Sequence, residues 1–158
     1  GPFSSLRVTG MARGNGASVR STYTFRRKAI IGNWTVRASA RKRRSAEVLF
    51  PSYGGDQAAV WAILKSGEAV RVTTARRLQG IRGFWIQSAK TGYAVVPLDR
   101  VKGSVVKIVQ PKVQPSAPNP GPTLRVVLTR RVPRKRPVVF EAKLAIARSV
   151  DDARAVLR

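Results

Sequence analysis

The stretch that most constrains the fold runs from Glu68 to Pro97, because it is typical of three short β-strands separated by glycine. In Glu68–Thr73 the sequence predicts that Val70 and Val72 face one way and Arg71 and Thr73 the other, which is the period of a half-buried strand. Phe84–Gln87 and Tyr93–Val96 are aromatic and β-branched, and such residues favour strands. The sequence therefore predicts a small sheet, with turns at Gly80, Gly83 and Gly92.

The chain around this sheet is strongly cationic. Its 158 residues contain 31 lysines and arginines against 7 aspartates and glutamates, a net charge of +24. This length suits one domain, and a hydrophobic content of 43% suits a folded one. Because so much like charge repels itself in a compact state, the composition indicates a polyanion or an acidic surface as partner.

Several kinds of chemistry have no residues to support them. The chain contains no cysteine and no histidine, which excludes disulfides and zinc sites built on thiolate or imidazole. The seven carboxylates are scattered, and only Asp151 and Asp152 are adjacent. We therefore expect no catalytic residue, no cofactor and no metal, and predict that the protein is not an enzyme. No apolar run approaches the roughly 18 residues of a membrane span, so no membrane partner is expected.

Two segments predict helices. Asp56–Ser66 has a capping aspartate, apolar residues at spacings of three and four, and a closing glycine. Val138–Arg158 carries a narrow apolar stripe at helical spacing. Within it, Ser149 and Asp152 have the spacing of a capping pair, so a fresh helix start there is a second interpretation. Tyr23–Trp34 fits either a short helix or a strand.

Further strands are predicted at residues 45–50, 101–109 and 123–130. Residues 1–18, rich in glycine and serine, predict an extended arm. Residues 110–122 hold five of the ten prolines and predict an extended loop. The expected fold is a single α+β domain over residues 19–158, a small and mostly antiparallel sheet with helices packed on one face.

The basic residues that concentrate in predicted turns and loops are the candidate contacts to DNA or to an acidic partner. Phosphate and carboxylate groups pair well with arginine, which dominates over lysine in this chain. The candidates are Arg41, Lys42, Arg43, Arg44, Arg76, Arg77, Arg82, Arg130, Arg131, Arg134, Lys135 and Arg136.

The order of segments resembles the tail completion proteins of long-tailed bacteriophages, in particular the minor tail protein Z-like ones. The strand Gly67–Val72, a basic turn, the strand Ile81–Ile86 and the hairpin Ala89–Val96 occupy the places of that family's motifs. Arg136–Phe140 resembles an ending found in related head–tail joining proteins.

The resemblance implies a non-enzymatic virion protein of the tail or neck, assembled in the host cytoplasm. Such a subunit forms a homo-oligomeric ring, usually a hexamer, at the top of the tail tube. Its partners would be the tail tube protein and the head connector proteins, with DNA passing through the lumen. Two other interpretations stay open: a nucleic-acid-binding protein associated with the nucleoid or the ribosome, and a capsid or decoration protein.

Overall fold

The computed structural model describes residues 5–14, 16–38, 44–52, 59–74, 76–88, 91–98, 105–109, 124–134 and 136–157. These residues form twelve strands and one short helix. In chain order they are β1 (Ser5–Gly14), β2 (Ala17–Arg26), β3 (Ala29–Ala38), β4 (Arg44–Ser52), β5 (Ala59–Leu64), β6 (Ala69–Val72), β7 (Arg76–Arg77), β8 (Ile81–Ser88), β9 (Thr91–Pro97), β10 (Val105–Val109), β11 (Leu124–Val132), β12 (Val138–Ile146) and α1 (Val150–Val156).

The strands make two antiparallel sheets. The large sheet has eight strands in the order β1-β2-β3-β12-β9-β8-β5-β6, and the small sheet has four in the order β4-β11-β10-β7. Every described pairing is antiparallel. The architecture is therefore a β-sandwich, and the predicted α+β class is wrong.

The main core lies between the two sheets. Phe84 and Phe140 of the large sheet are fully buried in one cluster with Val126 and Leu128 of the small sheet. Along each strand, alternate side chains enter this cluster, as the two-residue period requires. At about 25 cal/mol per Å² of apolar surface removed from water, this layer is the main source of stability.

Helix α1 packs on the opposite face of the large sheet. Ala153 and Leu157 join a second buried cluster with Ile63, Trp85 and Ala94 of that sheet. The predicted fresh helix start at Ser149 is confirmed: its side chain accepts a hydrogen bond from Asp152 N at 3.1 Å. The Asp152 carboxylate in turn accepts one from Arg148 N at 3.1 Å.

Both predicted helices are wrong over most of their length. Ala59–Leu64 is strand β5, an apolar run between β6 and β8 with one face toward the small sheet and the other toward the second cluster. An apolar run covered on both faces shows no alternation, so its spacing also fits a helix. Val138–Ile146 is strand β12, in which Val138, Phe140 and Ala142 are buried while Val139 is exposed.

Where an N-terminal arm was predicted, Ser5–Gly14 is strand β1, paired with β2 along all ten residues. The ambiguous segment Tyr23–Trp34 belongs to the β2–β3 hairpin. The strands predicted in Glu68–Pro97 are confirmed as β6, β8 and β9, although β5 lies between β6 and β8. The proline-rich segment 110–122 lies outside the described residues.

A substitution at Gly92 tests the packing of the large sheet. A Cβ there would lie 2.5 Å from Trp85 Nε1 and 2.7 Å from the Ile86 carbonyl oxygen. Because the sheet backbone has to shift, we expect Gly92→Ala to lower the free energy of unfolding by about 1–3 kcal/mol in urea titrations. At Gly10 a Cβ meets nothing within 4 Å, so Gly10→Ala should stay within about 0.5 kcal/mol. Equal losses in both variants would contradict this packing.

Candidate functional site

The predicted cationic contacts lie in several parts of the described structure. Arg131 near the end of β11 is exposed, and so are Arg134 and Arg136 in the connection to β12 and Arg82 on β8. Arg130 donates a hydrogen bond to the Val139 carbonyl oxygen, and its guanidinium lies 5.8 Å from the centre of the Phe140 ring. Contact of these residues with DNA or an acidic partner stays a prediction.

For the other predicted contacts, the structure describes the backbone alone or does not include the residue. Arg44, Arg76 and Arg77 have their backbones in β4 and β7. Arg41, Lys42, Arg43 and Lys135 lie outside the described residues.

A different polar surface stands out on the large sheet. On β1, β2, β3 and β12, the side chains that point away from the small sheet are mainly polar or charged. The register places them side by side on neighbouring strands. We call this surface the open polar face, and it comprises Arg7, Thr9, Arg20, Thr22, Thr24, Asn33, Thr35, Glu141 and Lys143.

Strand β3 shows how the sequence builds this face. Trp34 and Val36 pack with the main core, so Asn33 and Thr35 point to the opposite side. Trp34 is held firmly: its Nε1 donates to Tyr23 Oη at 3.2 Å, and its ring lies edge-on to Tyr23 at 5.9 Å. The Trp34 ring also lies over Gly32, where a side chain would collide with it. A fixed Trp34 fixes the orientation of its polar neighbours.

A row of four residues crosses the open polar face from strand to strand: Thr9, Thr22, Asn33 and Glu141. Asn33 Nδ2 donates to Glu141 Oε2 at 3.4 Å, and Thr35 Oγ1 donates to Asn33 Oδ1 at 3.5 Å. The hydroxyls of Thr9 and Thr22 lie 3.4 Å apart. The row therefore offers an amide, a carboxylate and two hydroxyls on one surface.

Glu141 is the only carboxylate that the described strands place on this face, and cations lie on both sides of its row. Lys143 is two residues further along β12, on the same side of the sheet and about 7 Å away at the rise of a strand. Its Nζ donates to the Val156 carbonyl oxygen at 3.1 Å, which anchors the ammonium group at the end of α1. Arg7 and Arg20 are exposed on β1 and β2.

Helix α1 closes the other half of the outer surface. Trp61 and Trp85 lie there with ring centroids 6.5 Å apart, in the cluster that α1 covers. Trp85 Nε1 donates to the Ala147 carbonyl oxygen at 2.9 Å, whereas the buried Trp61 Nε1 has no hydrogen-bond partner in the described structure. The accessible part of this surface is thus the open polar face.

Neither a cluster of acidic metal ligands nor a membrane-spanning helix is found in the part of the chain that the structure describes. There, no three acidic side chains come together as ligands for a metal ion. Nor is any described helix long and apolar enough to cross a membrane.

Comparison with known proteins finds similarity in structure alone. No protein-family model matches the chain, and no curated protein sequence does. Among solved structures, a proposed mutarotase, YeaD from Salmonella typhimurium, matches 92% of this chain with a TM-score of 0.57 at 10% identity. A proposed aldose 1-epimerase from Escherichia coli K12 also matches 92%, with a TM-score of 0.49 at 10% identity.

The likeness to the Salmonella protein shows the fold, a sandwich of the kind seen in this mutarotase-like structure. At 10% identity it shows nothing further about this chain. The chain covers 62% of the length of that protein and 66% of the length of the E. coli one.

These findings correct the functional predictions. The phage tail completion or head–tail joining interpretation is wrong, and so is its virion location, because the fold matches a structure described as a proposed mutarotase. The nucleic-acid-binding and capsid alternatives find no support either. The expectation of a non-enzyme is contradicted by the same structure, which is described as that of an enzyme. The predicted ring and its partners stay untested.

Sequence reasoning missed the row on the open polar face. The alternation of Asn33, Thr35 and Arg37 with Trp34 and Val36 could have revealed its β3 part. Glu141 lies 108 positions from Asn33 and fell within a predicted helix, so nothing in the sequence indicated that the two side chains meet.

Replacing one tryptophan tests how α1 is held on the sheet. We expect Trp85→Phe to lower the free energy of unfolding by about 1–3 kcal/mol, because the buried Ala147 carbonyl loses its donor. Trp61→Phe is the matched control, since its indole nitrogen has no partner to lose, and it should cost less. Chemical denaturation followed by far-ultraviolet circular dichroism measures both. A larger loss for Trp61→Phe would contradict these contacts.

Proposed function

We propose that the chain is part of a carbohydrate-processing enzyme of the aldose epimerase type, with the sugar bound on the open polar face. One observation carries the proposal: Glu141 and Lys143 stand on one strand of that face, and Asn33 donates to Glu141. The similarity of the fold to a proposed mutarotase supports the same choice of substrate.

The groups on this face suit the recognition of sugar hydroxyls. A sugar hydroxyl both donates and accepts hydrogen bonds. It can therefore form hydrogen bonds with a surface that contains acceptors, donors and hydroxyls, which act as either. Glu141 supplies acceptors, Asn33 supplies an amide, and Thr9 and Thr22 supply hydroxyls. Because neighbouring strands are about 4.8 Å apart, the row of four spans about 14 Å, a width on the scale of two or three sugar rings.

Epimerisation at the anomeric carbon needs one base and one acid. The base removes the proton of the anomeric hydroxyl while the bond from that carbon to the ring oxygen breaks. The electron pair of that bond goes to the ring oxygen, which takes a proton from the acid. The resulting aldehyde rotates, and the reverse transfers close the ring on its other face.

Glu141 and Lys143 are suited to these two roles. The chain has no histidine, so a carboxylate and an ammonium group are the available pair on this face. Glu141 would be the base, held toward the sugar by Asn33. Lys143 would be the acid: its Nζ gives one hydrogen bond to Val156 and keeps further donors for the ring oxygen.

Substitution of Glu141 tests the proposal. The chain should accelerate the interconversion of α- and β-glucose, followed by polarimetry or by proton NMR exchange. Because general base catalysis contributes about 10²–10⁴-fold, Glu141→Gln should lower kcat by at least about 100-fold. Glu47→Gln is the control, since Glu47 is exposed on β4 of the small sheet and accepts from Thr129 at 3.2 Å. A chain that adds nothing to the spontaneous rate, or equal loss in both variants, would contradict the proposal.

The cations beside the row favour an acidic sugar. Arg7 and Arg20 lie on either side of Thr9 and Thr22 on the open polar face, and the chain carries a net charge of +24. A carboxylate on the substrate gains from this field, which attracts anions and weakens with salt.

We therefore expect a KM for glucuronate about tenfold below that for glucose at low ionic strength, with the difference shrinking as salt is added. Arg20→Gln should reduce the difference, whereas Arg82→Gln, an equal change of charge on β8, should leave most of it. Equal KM values for the two sugars would show that the cations do not select the substrate.

A further inference from the structure

A groove at one end of the sandwich is separate from the row on the open polar face. It lies where the β2–β3 hairpin meets the end of β12, and its volume is about 700 Å³. Ile30, Leu144 and Tyr93 of the large sheet line it together with Phe50 of the small sheet. A volume of this size is in the range of small-molecule sites, and most of its lining is apolar.

The groove adjoins an apolar row that runs out from beneath the small sheet. Across neighbouring strands the register aligns Leu6, Phe25, Ile30, Leu144 and Val95. Val95 is 0% exposed, but Phe25 is 39% exposed and Leu6 is 61% exposed. The core-facing side of the large sheet thus leaves apolar side chains uncovered beside the groove, and such exposed patches commonly mark binding sites.

The mouth of the groove is cationic. Arg26 ends β2, and Arg27 and Lys28 form the turn to β3; all three line the groove and are exposed. Ile146, on the same rim, is 84% exposed, a large fraction for an isoleucine. Inside, the Tyr93 hydroxyl donates to the Pro51 carbonyl oxygen at 2.6 Å, so this polar group is already engaged with the small sheet.

We propose that this groove binds a free, single-chain anionic amphiphile, with its acyl chain against Ile30, Leu144 and Phe50 and its carboxylate at Arg26, Arg27 and Lys28. The apolar lining matches a hydrocarbon chain, and the three cations match one anionic head group. A neutral lipid would leave the cations without a partner, and a sugar or a nucleic acid would leave the lining without one. The inference is independent of the sugar chemistry assigned to the open polar face.

Titration of the full chain with laurate, below the concentration at which it forms micelles, tests the proposal by calorimetry. We expect one laurate per chain. Dodecanol, which has the same chain length without the charge, should bind at least about tenfold more weakly. Binding of many laurates per chain, or equal affinity for the two ligands, would overturn the proposal.

Two pairs of variants separate the cations and the apolar lining from general effects. The triple variant Arg26→Gln, Arg27→Gln, Lys28→Gln should weaken laurate binding on the order of tenfold, since exposed charge pairs contribute modestly. Its control, Arg82→Gln, Arg131→Gln, Arg136→Gln, removes the same charge elsewhere on the chain and should bind as the unmodified chain does. An equal loss in both triples would overturn the proposal.

Ile146→Asp places a charge on the rim at a highly exposed position, so the fold should tolerate it while laurate binding falls by at least about tenfold. Leu49→Asp is its control, because Leu49 is 46% exposed on β4 and does not line the groove. Thermal unfolding of both variants checks that they are folded. Undiminished binding by Ile146→Asp would overturn the proposal.

The lipids of a membrane surface also carry acyl chains and anionic head groups, so a membrane is the alternative ligand of the groove. Vesicles of phosphatidylcholine with phosphatidylglycerol provide the comparison with free laurate. Binding of free laurate that survives physiological salt supports the proposal. Binding to the vesicles alone would assign the groove to a membrane surface and overturn it.

Discussion

The packing of the small sheet on part of the large sheet is the contact on which the other features depend. It buries Phe84, Phe140, Val126 and Leu128 in one layer and so decides which side of every strand faces inward. Once Trp34 and Phe140 point into that layer, Asn33 and Glu141 must point out of it. The hydrogen bond between Asn33 and Glu141 therefore follows from apolar burial on the other face of the same two strands.

The small sheet covers only part of the large sheet, and this leaves the sandwich with two kinds of accessible surface. The large sheet has eight strands and the small one has four, so side chains such as Leu6 and Phe25 are left exposed on its inner face. On its outer face, α1 covers Trp85 and Ala94 but not the strands β1 and β2. The polar row and the apolar groove thus owe their accessibility to the unequal sizes of the covering layers.

Local patterns in the sequence predict strands well where one face is polar and poorly where both faces are covered. The strands within Glu68–Pro97 could be placed, and so could the cap formed by Ser149 and Asp152, because both depend on neighbouring residues. The run Ala59–Leu64 is apolar throughout, and its period carries no information about which element it forms. The resemblance to tail completion proteins used short strand motifs that many sheets share, and it failed for that reason.

The residues of the polar row could not be found by local reasoning, because its geometry is a product of pairing between distant strands. Strand β12 pairs with β3 across more than a hundred positions, and only that register brings Glu141 beside Asn33. The predicted contacts were runs of basic residues, because the net charge is so positive. Glu141 is a single acidic residue and belongs to no such run. In a chain with 31 cations and 7 anions, a carboxylate held beside an amide on a cationic surface is the more informative group. Its position is set by the fold, through the pairing of β3 with β12.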